Sequence, residues 1–498
     1  MGPQAAPAMD WQAFEQTLLD DALAQVLPAL RAHPLRSDVY AVALAGIYRE
    51  HDGPIHLPTV AMNSEAALAG AGDEASEGEG TLYDLRWNPA DWCWPDMASG
   101  SAAMAAAEAT LATEAQGGDV AQWEAADRRC IDALVRVCQR LRDALHASAV
   151  ADRLTPGFAV LLHEDSDEGV AMALRCLGDE AFARLLPGHA ADLAEAARVA
   201  ALPDAERLRY HLACLAHQPA PELGLTREQA QRHGEAAQRA LRAFGPAAIP
   251  ALLPLLARTE TQCEAARLLG EIGAATPEVV AALRAQVLRA VPRSSLRHLA
   301  QAGRNICAGA LAHLGDSAWL LQQAQAGTLG DECVAQGLSS PYGAFRNRAL
   351  DPLPLDYRPV ESLPAVQPAL LPLVEQWLRP GKGTCTLRLH EVDEALRGLQ
   401  SPLTVVRQHA AMVLGERALG AEAGARTVPA LAHAVVHDSD ETVRYLAVLA
   451  LDDWRGAAVA QRPLAEATAR GDGSTKVRDA AQRWLQVLDD LAAGVPPR

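Results

Sequence analysis

The first pattern of apolar and polar positions along the chain is helical. Residues 10–33 place apolar side chains at intervals of three and four residues, the spacing of one helix face. The positions are Phe14, Leu18, Leu19, Ala22 and Val26. Asp10 precedes them as a candidate N-cap, because its carboxylate can accept free backbone N–H groups of the first turn. The pattern therefore predicts a helix over 10–33.

The pattern then changes to the two-residue period of strands. "SDVYAVALAGIY" (37–48) is apolar on both alternating faces, which predicts a strand buried on both sides. "IHLPTVAMN" (55–63) is its expected antiparallel neighbour. "TLYDLRW" (81–87) and "GFAVLLHED" (157–165) are predicted as a third and a fourth strand. With a long helix predicted around 119–147, these elements indicate an α+β domain over residues 1–200.

From about residue 230 the strand signals give way to helices punctuated by Gly, Pro and Asp. Three segments share a Val-Arg pair followed by small and apolar residues. The pairs are Val406-Arg407, Val443-Arg444 and Val477-Arg478, at spacings of 37 and 34 residues. Weaker copies lie upstream, in 238–256, 263–273 and 306–316. A fixed period of this length is typical of repeat proteins.

The helix predicted in 439–454 is apolar nearly all round, so it needs neighbours on several sides. Asp440 is its candidate N-cap. Because one such unit cannot bury its own faces, stacking of successive units would complete the core. We therefore predict helical repeats over 201–325 and 386–498. The Pro-rich segment 326–385 is either an irregular repeat or a connector.

Composition and charge reduce the number of function classes that fit this sequence. Hydrophobic residues make up 50% of the 498 residues and aromatics only 4%, which favours packed helices rich in Ala and Leu. The formal net charge is −18. A general nucleic-acid binder needs a basic surface to displace counterions, so that class is excluded. The charge suits a protein that binds a basic partner.

Cysteine usage and hydropathy suggest where the protein works. The nine cysteines are scattered singly and no CxxC occurs, so neither a disulfide framework nor a zinc cluster is expected. No secretory signal is visible at the start. No uncharged apolar run of 18 residues occurs, so no membrane-spanning segment is expected. We expect a cytoplasmic protein.

The run "RWNPADWCWPDM" (86–97) is the densest cluster of large side chains. Asn88-Pro89-Ala90-Asp91 is typical of a turn and helix cap. Either Trp87 and Trp92 pack the sheet against a helix, or Trp92 and Trp94 are an exposed anchor for a partner, since Trp is enriched at binding hot spots.

A second candidate site is "HEDSDEG" (163–169), in which Asp165 and Asp167 are the residues that could bind a partner. Its oxygen-rich side chains could hold a divalent cation, but the EF-hand spacing is absent, so a solvated loop or a surface that attracts a basic partner is expected. The sequence contains no HExxH, no GxSxG and no phosphate-binding loop. We expect no catalytic, cofactor-binding or metal-binding residues.

The segments with Val406-Arg407, Val443-Arg444 and Val477-Arg478 resemble HEAT repeats, including the variety of phycobilisome lyases. In that family the Arg commonly binds an Asp of an adjacent repeat, forming a ladder. The resemblance implies a structural ladder of Arg407, Asp440, Arg444 and Arg478, and an α-solenoid of helical hairpins behind the α+β domain. It covers about half of the chain.

The N-terminal domain is similar to the uncharacterised bacterial family DUF4303. The resemblance rests on "VYAVAL", "AMNSEAAL", "LRWNPADW" and "FAVLLHEDSDEG" in this order, over about residues 10–190. That family is thought to occur near bacterial toxin–immunity loci, which implies a toxin as partner but no chemistry.

Together these features favour a mainly α, non-enzymatic protein–protein interaction protein. In its sharper form it is an immunity-type protein that masks a basic toxin or effector through complementary charge. The alternatives are an enzyme or enzyme subunit of the bilin-lyase-like type and a general assembly scaffold. Fold resemblance does not decide between them.

Overall fold

The structure is a computed structural model. It describes residues 9–49, 55–70, 80–97, 101–116, 120–164, 166–291, 295–343, 351–378 and 386–492. Most of the described residues are helical, with a small sheet region near the N-terminus. The chain divides into two compact units, one containing the residues up to Arg198 together with those from Asp490 onward, and the other containing Val199–Asp489.

The first unit combines a small sheet with helices. Its elements are α1 (Trp11–Ala32), β1 (Val39–Ala45), β2 (Tyr48–Arg49), β3 (Ile55–His56), β4 (Thr59–Ser64), α2 (Glu65–Gly70), β5 (Trp94–Met97), α3 (Ala102–Gln116), α4 (Val120–His146), β6 (Leu154–Leu162), α5 (Asp167–Leu177), α6 (Asp179–Leu185) and α7 (Pro187–Ala200). The predicted N-cap of α1 is confirmed, since the Asp10 carboxylate accepts the backbone N–H groups of Gln12 and Ala13.

The four-stranded sheet has the order β5-β4-β1-β6, and β2 and β3 form a separate ribbon. β1 pairs antiparallel with β4, in the register Val42 opposite Met62, and parallel with β6. Every residue of β1 is buried, as its two apolar faces predict. Helix α4 packs on β6 and α1, and α5 packs on β6, so the core of this unit lies between the sheet and these helices.

One predicted strand is wrong. Residues 81–87 form turns and not a strand, because Asp84 binds its own chain locally. Its carboxylate accepts the backbone N–H groups of Gly80 and Thr81, and its carbonyl accepts the N–H of Trp87. Local bonds of an Asp side chain to the backbone compete with the backbone hydrogen bonds between strands. The edge strand is β5 instead, which begins seven residues after Trp87.

The described part of the second unit is built from helices. They are α8 (Asp204–Leu215), α9 (Arg227–Arg232), α10 (Gly234–Phe244), α11 (Ile249–Leu252), α12 (Gln262–Ile272), α13 (Pro277–Leu288), α14 (Arg297–His313), α15 (Ser317–Gln325), α16 (Asp331–Ser339), α17 (Arg358–Glu361), α18 (Leu363–Val366), α19 (Leu371–Leu378), α20 (Val392–Gly398), α21 (Thr404–Val413), α22 (Gly420–His437), α23 (Glu441–Asp453), α24 (Arg462–Gly471) and α25 (Thr475–Ala492).

One row of helices in this unit packs together in chain order, with one helix between successive members except between α16 and α19, where there are two. α8 contacts α10, α10 contacts α12, and the row continues through α14, α16, α19 and α21 to α23. The helices between them pack beside it: α13 on α14, α15 on α16, α20 on α21 and α22 on α23. The described part of 326–385 supplies two members of the row, α16 and α19.

The helices of the row are apolar on more than one side, as predicted for 439–454. In α23, Val443 and Ala447 lie on one face of the helix, and Val448, which lies off that face, is buried as well. The predicted N-cap is also confirmed, because the Asp440 carboxylate accepts the N–H groups of Thr442 and Val443.

One apolar stretch of the described residues, Gly234–Ala257, is long and apolar enough to cross a membrane by length and composition only, and 28% of its apolar window is buried. Core helices of soluble proteins pass the same test, so this is weak evidence of a membrane segment. Pro246, Pro250 and Pro254 divide the stretch into short helical pieces.

Candidate functional site

The tryptophan run folds as a turn, a short 3₁₀ helix and then strand β5. Asn88 caps the 3₁₀ helix Pro89–Asp91, its side-chain oxygen accepting the N–H of Ala90. The predicted turn and cap are therefore confirmed. Trp87 and Trp92, on either side of this helix, are 2% and 3% exposed.

Tyr40 of β1 is the residue around which the run packs. Its ring meets those of Trp87 and Trp92 edge to face, with centroids 5.9 and 6.2 Å apart. Its hydroxyl donates to the carbonyl oxygen of Arg86 (2.7 Å) and accepts from Asn63 (2.8 Å). Burial raises the pKa of Tyr40 well above its ordinary value, so the phenol is neutral and acts as a structural donor.

Of the two alternatives predicted for Trp92, the exposed anchor is wrong, because the ring is 3% exposed and belongs to the core of the first unit. Its indole N–H donates to the carbonyl oxygen of Arg86 (3.2 Å), the same oxygen that Tyr40 uses. A buried indole needs such an acceptor, and the two bonds hold the ring inside. The guanidinium of Arg86 lies 4.2 Å from the centre of the Tyr40 ring and binds Glu65, covering this cluster from outside.

Trp94 is only partly buried and lies on the edge strand β5. Its ring meets that of His33 edge to face at 5.6 Å. His33 in turn pairs with Asp38 at 2.7 Å, and both side chains are about nine-tenths buried. Of the tryptophans in the run, Trp94 is therefore the one whose ring reaches the surface, next to a buried polar pair.

The acidic segment 163–169 is bound to an arginine from a distant part of the first unit. Arg49 of β2 contacts Asp127 of α4 (3.1 Å), Glu164 (2.7 Å) and Glu168 of α5 (2.6 Å), and its own side chain is 12% exposed. Burial opposes the charge of Arg49, but its bonds with the three carboxylates raise its pKa. Burial also raises the pKa of Asp127.

This cluster carries three carboxylates against one guanidinium. Two residues of this segment were predicted to bind a partner. Asp165 lies outside the described residues. Asp167 is the first residue of α5, and its side chain also lies outside the described part of the structure. Within the described part of the chain, no group of three His, Cys, Asp or Glu side chains could hold a metal ion. The cluster is a partly buried ion-pair network with an excess of negative charge, since the Arg49 side chain is 12% exposed and that of Glu168 is 68% exposed.

Sequence reasoning missed Arg49, and no local pattern could have indicated it. Its partners lie 78, 115 and 119 residues further along the chain. The one signal was an isolated arginine between two strands, which is too common to predict an ion pair.

In the second unit, the arginines of the Val-Arg pairs occupy equivalent places. Arg407, Arg444 and Arg478 are each the fourth residue of their helix, α21, α23 and α25. Each donates to the backbone carbonyl six residues earlier. Arg407 also binds both carboxylate oxygens of Asp438 (2.8 and 3.2 Å), and Arg444 binds both of Asp472 (2.8 and 3.0 Å).

The predicted role of Asp440 in this ladder is wrong. Asp438, two residues earlier, accepts the hydrogen bonds of the Arg407 guanidinium. Asp440 instead caps α23 and accepts a hydrogen bond from the side-chain amide of Gln408 (3.0 Å). A carboxylate at the N-cap is already engaged with backbone N–H groups, so the residue two positions earlier faces the arginine. Arg478 binds Thr475 in addition to the carbonyl of Asp472, and no carboxylate among the described residues pairs with it.

Two further pairs of the same kind occur upstream. Arg284 binds both carboxylate oxygens of Asp316 (2.7 and 2.6 Å), and Arg242 binds Glu271 (2.9 and 2.5 Å). The sequence predicted only weak copies of a repeat there. The arginine–carboxylate link between neighbouring helical segments therefore extends beyond the segments with Val-Arg pairs.

A notch of about 280 Å³ lies beside the Arg407–Asp438 pair. The rings of His433 and His437, one helical turn apart on α22, stack there with centroids 4.1 Å apart. Both side chains are exposed. The notch is polar and open, which suits contact with another polar surface.

Part of the first unit is similar to a known protein family. Residues 19–175 match the model of a family described as a domain of unknown function, DUF4303. The predicted N-terminal resemblance is confirmed. The match runs from the middle of α1 into α5, so the DUF4303 region contains the sheet, the tryptophan run and the Arg49 cluster. No curated protein matches this chain.

Proposed function

We propose that this chain is a non-enzymatic protein–protein interaction protein, in which the DUF4303 region precedes an α-solenoid of the HEAT type. The observation that carries the proposal is the recurrence of one arginine geometry in α21, α23 and α25. The arginine is the fourth helix residue each time, and it bonds to the carbonyl six residues earlier each time.

The packing of the second unit supports the same proposal. The helices of the row contact one another in chain order, which is the arrangement expected when each repeat buries its apolar faces on its neighbours. Solenoids of this kind present an extended surface, and that surface is what binds a partner protein.

The partner that we propose is a basic protein. The net charge of −18 and the excess of carboxylates around Arg49 both favour a positively charged surface on the other molecule, because opposite charges speed and orient association. The sharper form of the proposal is an immunity-type protein that covers a basic toxin or effector.

A co-expression experiment tests this proposal. The tagged full chain is produced together with the product of a neighbouring gene that encodes a basic secreted protein, and complex formation is measured by size-exclusion chromatography and calorimetry. We expect a stable complex whose affinity falls with salt, and relief of the partner's toxicity. If a small molecule copurifies with the chain and no protein does, the interaction proposal is overturned and the enzyme alternative is favoured.

Trp94→Ala is the variant that probes the surface of the first unit. We expect it to weaken the complex while the free energy of unfolding changes little, since its ring is only partly buried. Tyr83→Ala is a matched control, because Tyr83 is another exposed aromatic of the same unit, 56% exposed. Equal affinities for Trp94→Ala and the wild type would remove Trp94 from the binding surface.

A further inference from the structure

The charge of the chain is inverted in one stretch of the second unit. Residues 279–315 contain five arginines and no Asp or Glu, whereas the whole chain has 62 acidic and 44 basic residues. The stretch covers most of α13 and all of α14. A local excess of positive charge in an acidic protein favours anions at this place over the rest of the surface.

Two arginines of this stretch, Arg289 and Arg304, differ from the arginines of the carboxylate pairs by what they bind. Arg284, Arg407 and Arg444 each pair with a carboxylate. For Arg289 and Arg304, no carboxylate of the described residues lies within ion-pair distance. They donate to carbonyl oxygens instead: Arg289 to the backbone of Ala257 and the side chain of Gln286, and Arg304 to the backbone of Val287.

Arg289 and Arg304 line the same cavity, which has a volume of about 90 Å³. The other polar side chains around it are Thr259, Gln262 and Gln286. A hydroxyl and two amides can all donate hydrogen bonds, and a guanidinium has five donors and no acceptor. The cavity is therefore rich in donors and carries two positive charges.

The backbone bonds of the two arginines orient them before any ligand arrives. The Nη1 of Arg289 is 2.9 Å from the carbonyl oxygen of Ala257, and the Nε of Arg304 is 2.7 Å from that of Val287. Each guanidinium uses one side for this anchor and keeps further N–H donors. Such a planar set of donors matches the oxygen geometry of phosphate and carboxylate.

We propose that this cavity binds a single small oxyanion, with Arg289 and Arg304 as its charged ligands and Gln262 and Gln286 as neutral donors. The two guanidiniums repel cations, and the polar lining is unsuited to an apolar ligand. The site is independent of the proposed function, because its ligand is a free ion and its test needs only the purified chain.

The test measures binding of inorganic phosphate to the full chain by calorimetry and by the rise of Tm. Sodium chloride at the same ionic strength separates specific binding from screening. We expect saturable binding and a Tm that rises with phosphate and not with chloride. Sulfate and succinate, measured in parallel, show whether the site prefers tetrahedral oxyanions or carboxylates.

The double variant Arg289→Gln/Arg304→Gln tests the assignment to this cavity. We expect phosphate affinity to fall by roughly tenfold or more, because charge-assisted hydrogen bonds are the strong ones. Arg297→Gln is the matched control, since it removes the same charge from the same stretch without lining the cavity, and it should bind like the wild type.

Arg289→Gln alone serves if the double variant does not fold, because Arg289 is exposed. It should also bind phosphate more weakly than Arg297→Gln does. Equal loss of affinity in Arg297→Gln would overturn the proposal, and so would undiminished binding in the double variant or the lack of saturable binding of all three anions to the wild type.

Discussion

Arg444 on α23 holds both carboxylate oxygens of Asp472, the residue that precedes the turn into α25. The two distances are 2.8 and 3.0 Å, and the side chains are 16% and 9% exposed. Arg407 and Asp438 repeat the arrangement one segment earlier. These bidentate pairs connect helical segments 28 and 31 residues apart, so the stability of the second unit depends on them.

Arg444→Ala should therefore destabilise the protein. Removing the guanidinium leaves Asp472 partly buried without its charged partner, and we expect the free energy of unfolding to fall by about 2 kcal/mol. Urea denaturation followed by far-UV circular dichroism measures this. Arg470→Ala is the control: its pair with Glu466 spans 4.0 Å and is 74% and 42% exposed, so about 0.5 kcal/mol or less is expected. Equal losses would contradict the structural role of the ladder.

The same pair predicts a dependence of stability on acid. The hydrogen bond from Arg444 holds the pKa of Asp472 below its ordinary value of 3.8. Between these two pKa values the unfolded chain binds more protons than the folded one, so stability rises with pH there. The contribution is complete above 3.8 and is lost as pH falls through the folded pKa. Urea denaturation at a series of pH values below about 5 gives the free energy of unfolding as a function of pH. This free energy should rise less steeply with pH in Asp472→Asn than in the wild type. An unchanged slope would contradict the assignment.

Trp92→Ala and Trp94→Ala should differ in stability. Trp92 is 3% exposed and its indole N–H is bonded inside the first unit, so its loss should cost about 3–5 kcal/mol. Trp94 is partly exposed on an edge strand, and its loss should cost clearly less. Urea denaturation followed by near-UV circular dichroism compares the two variants. A larger loss for Trp94→Ala would show that the run packs differently.

Gly337→Ala should disturb the contact between α14 and α16. A Cβ at this position would lie 2.9 Å from the Cβ of Ala308 and 3.1 Å from its carbonyl carbon, so the two helices would have to move apart. We expect a loss of about 1–3 kcal/mol. Gly471→Ala, at the end of α24 with nothing within 4 Å, should be neutral or slightly stabilising. Thermal denaturation compares the two, and a neutral Gly337→Ala would contradict this packing.

The elements of the first unit were largely predictable because their signals are local. The apolar faces of β1, the cap of α1 by Asp10 and the turn at Asn88 each depend on residues within a few positions of one another. The prediction of a strand at 81–87 is wrong for a reason that is also local. The hydrogen bonds of Asp84 to Gly80 and Thr81 outweigh the alternation of apolar residues.

The candidate sites were less predictable. The Val-Arg pairs indicated the arginines of the ladder, but the pairing of Arg407 with Asp438 and not with Asp440 depends on which carboxylate the cap of α23 has already engaged. The cavity lined by Arg289 and Arg304 had no sequence signal beyond a stretch that contains arginines and no acidic residue.

What the sequence by itself determined is where most of the helices and strands form and where several of them are capped. Periodicity and capping act over one or two turns of chain, so they can be predicted from neighbours. What only the tertiary structure decided is which side chains meet. Arg49 lies among carboxylates up to 119 residues away, and Trp92 is buried because Tyr40 lies against it. Such contacts arise when distant segments pack, and no local pattern specifies them.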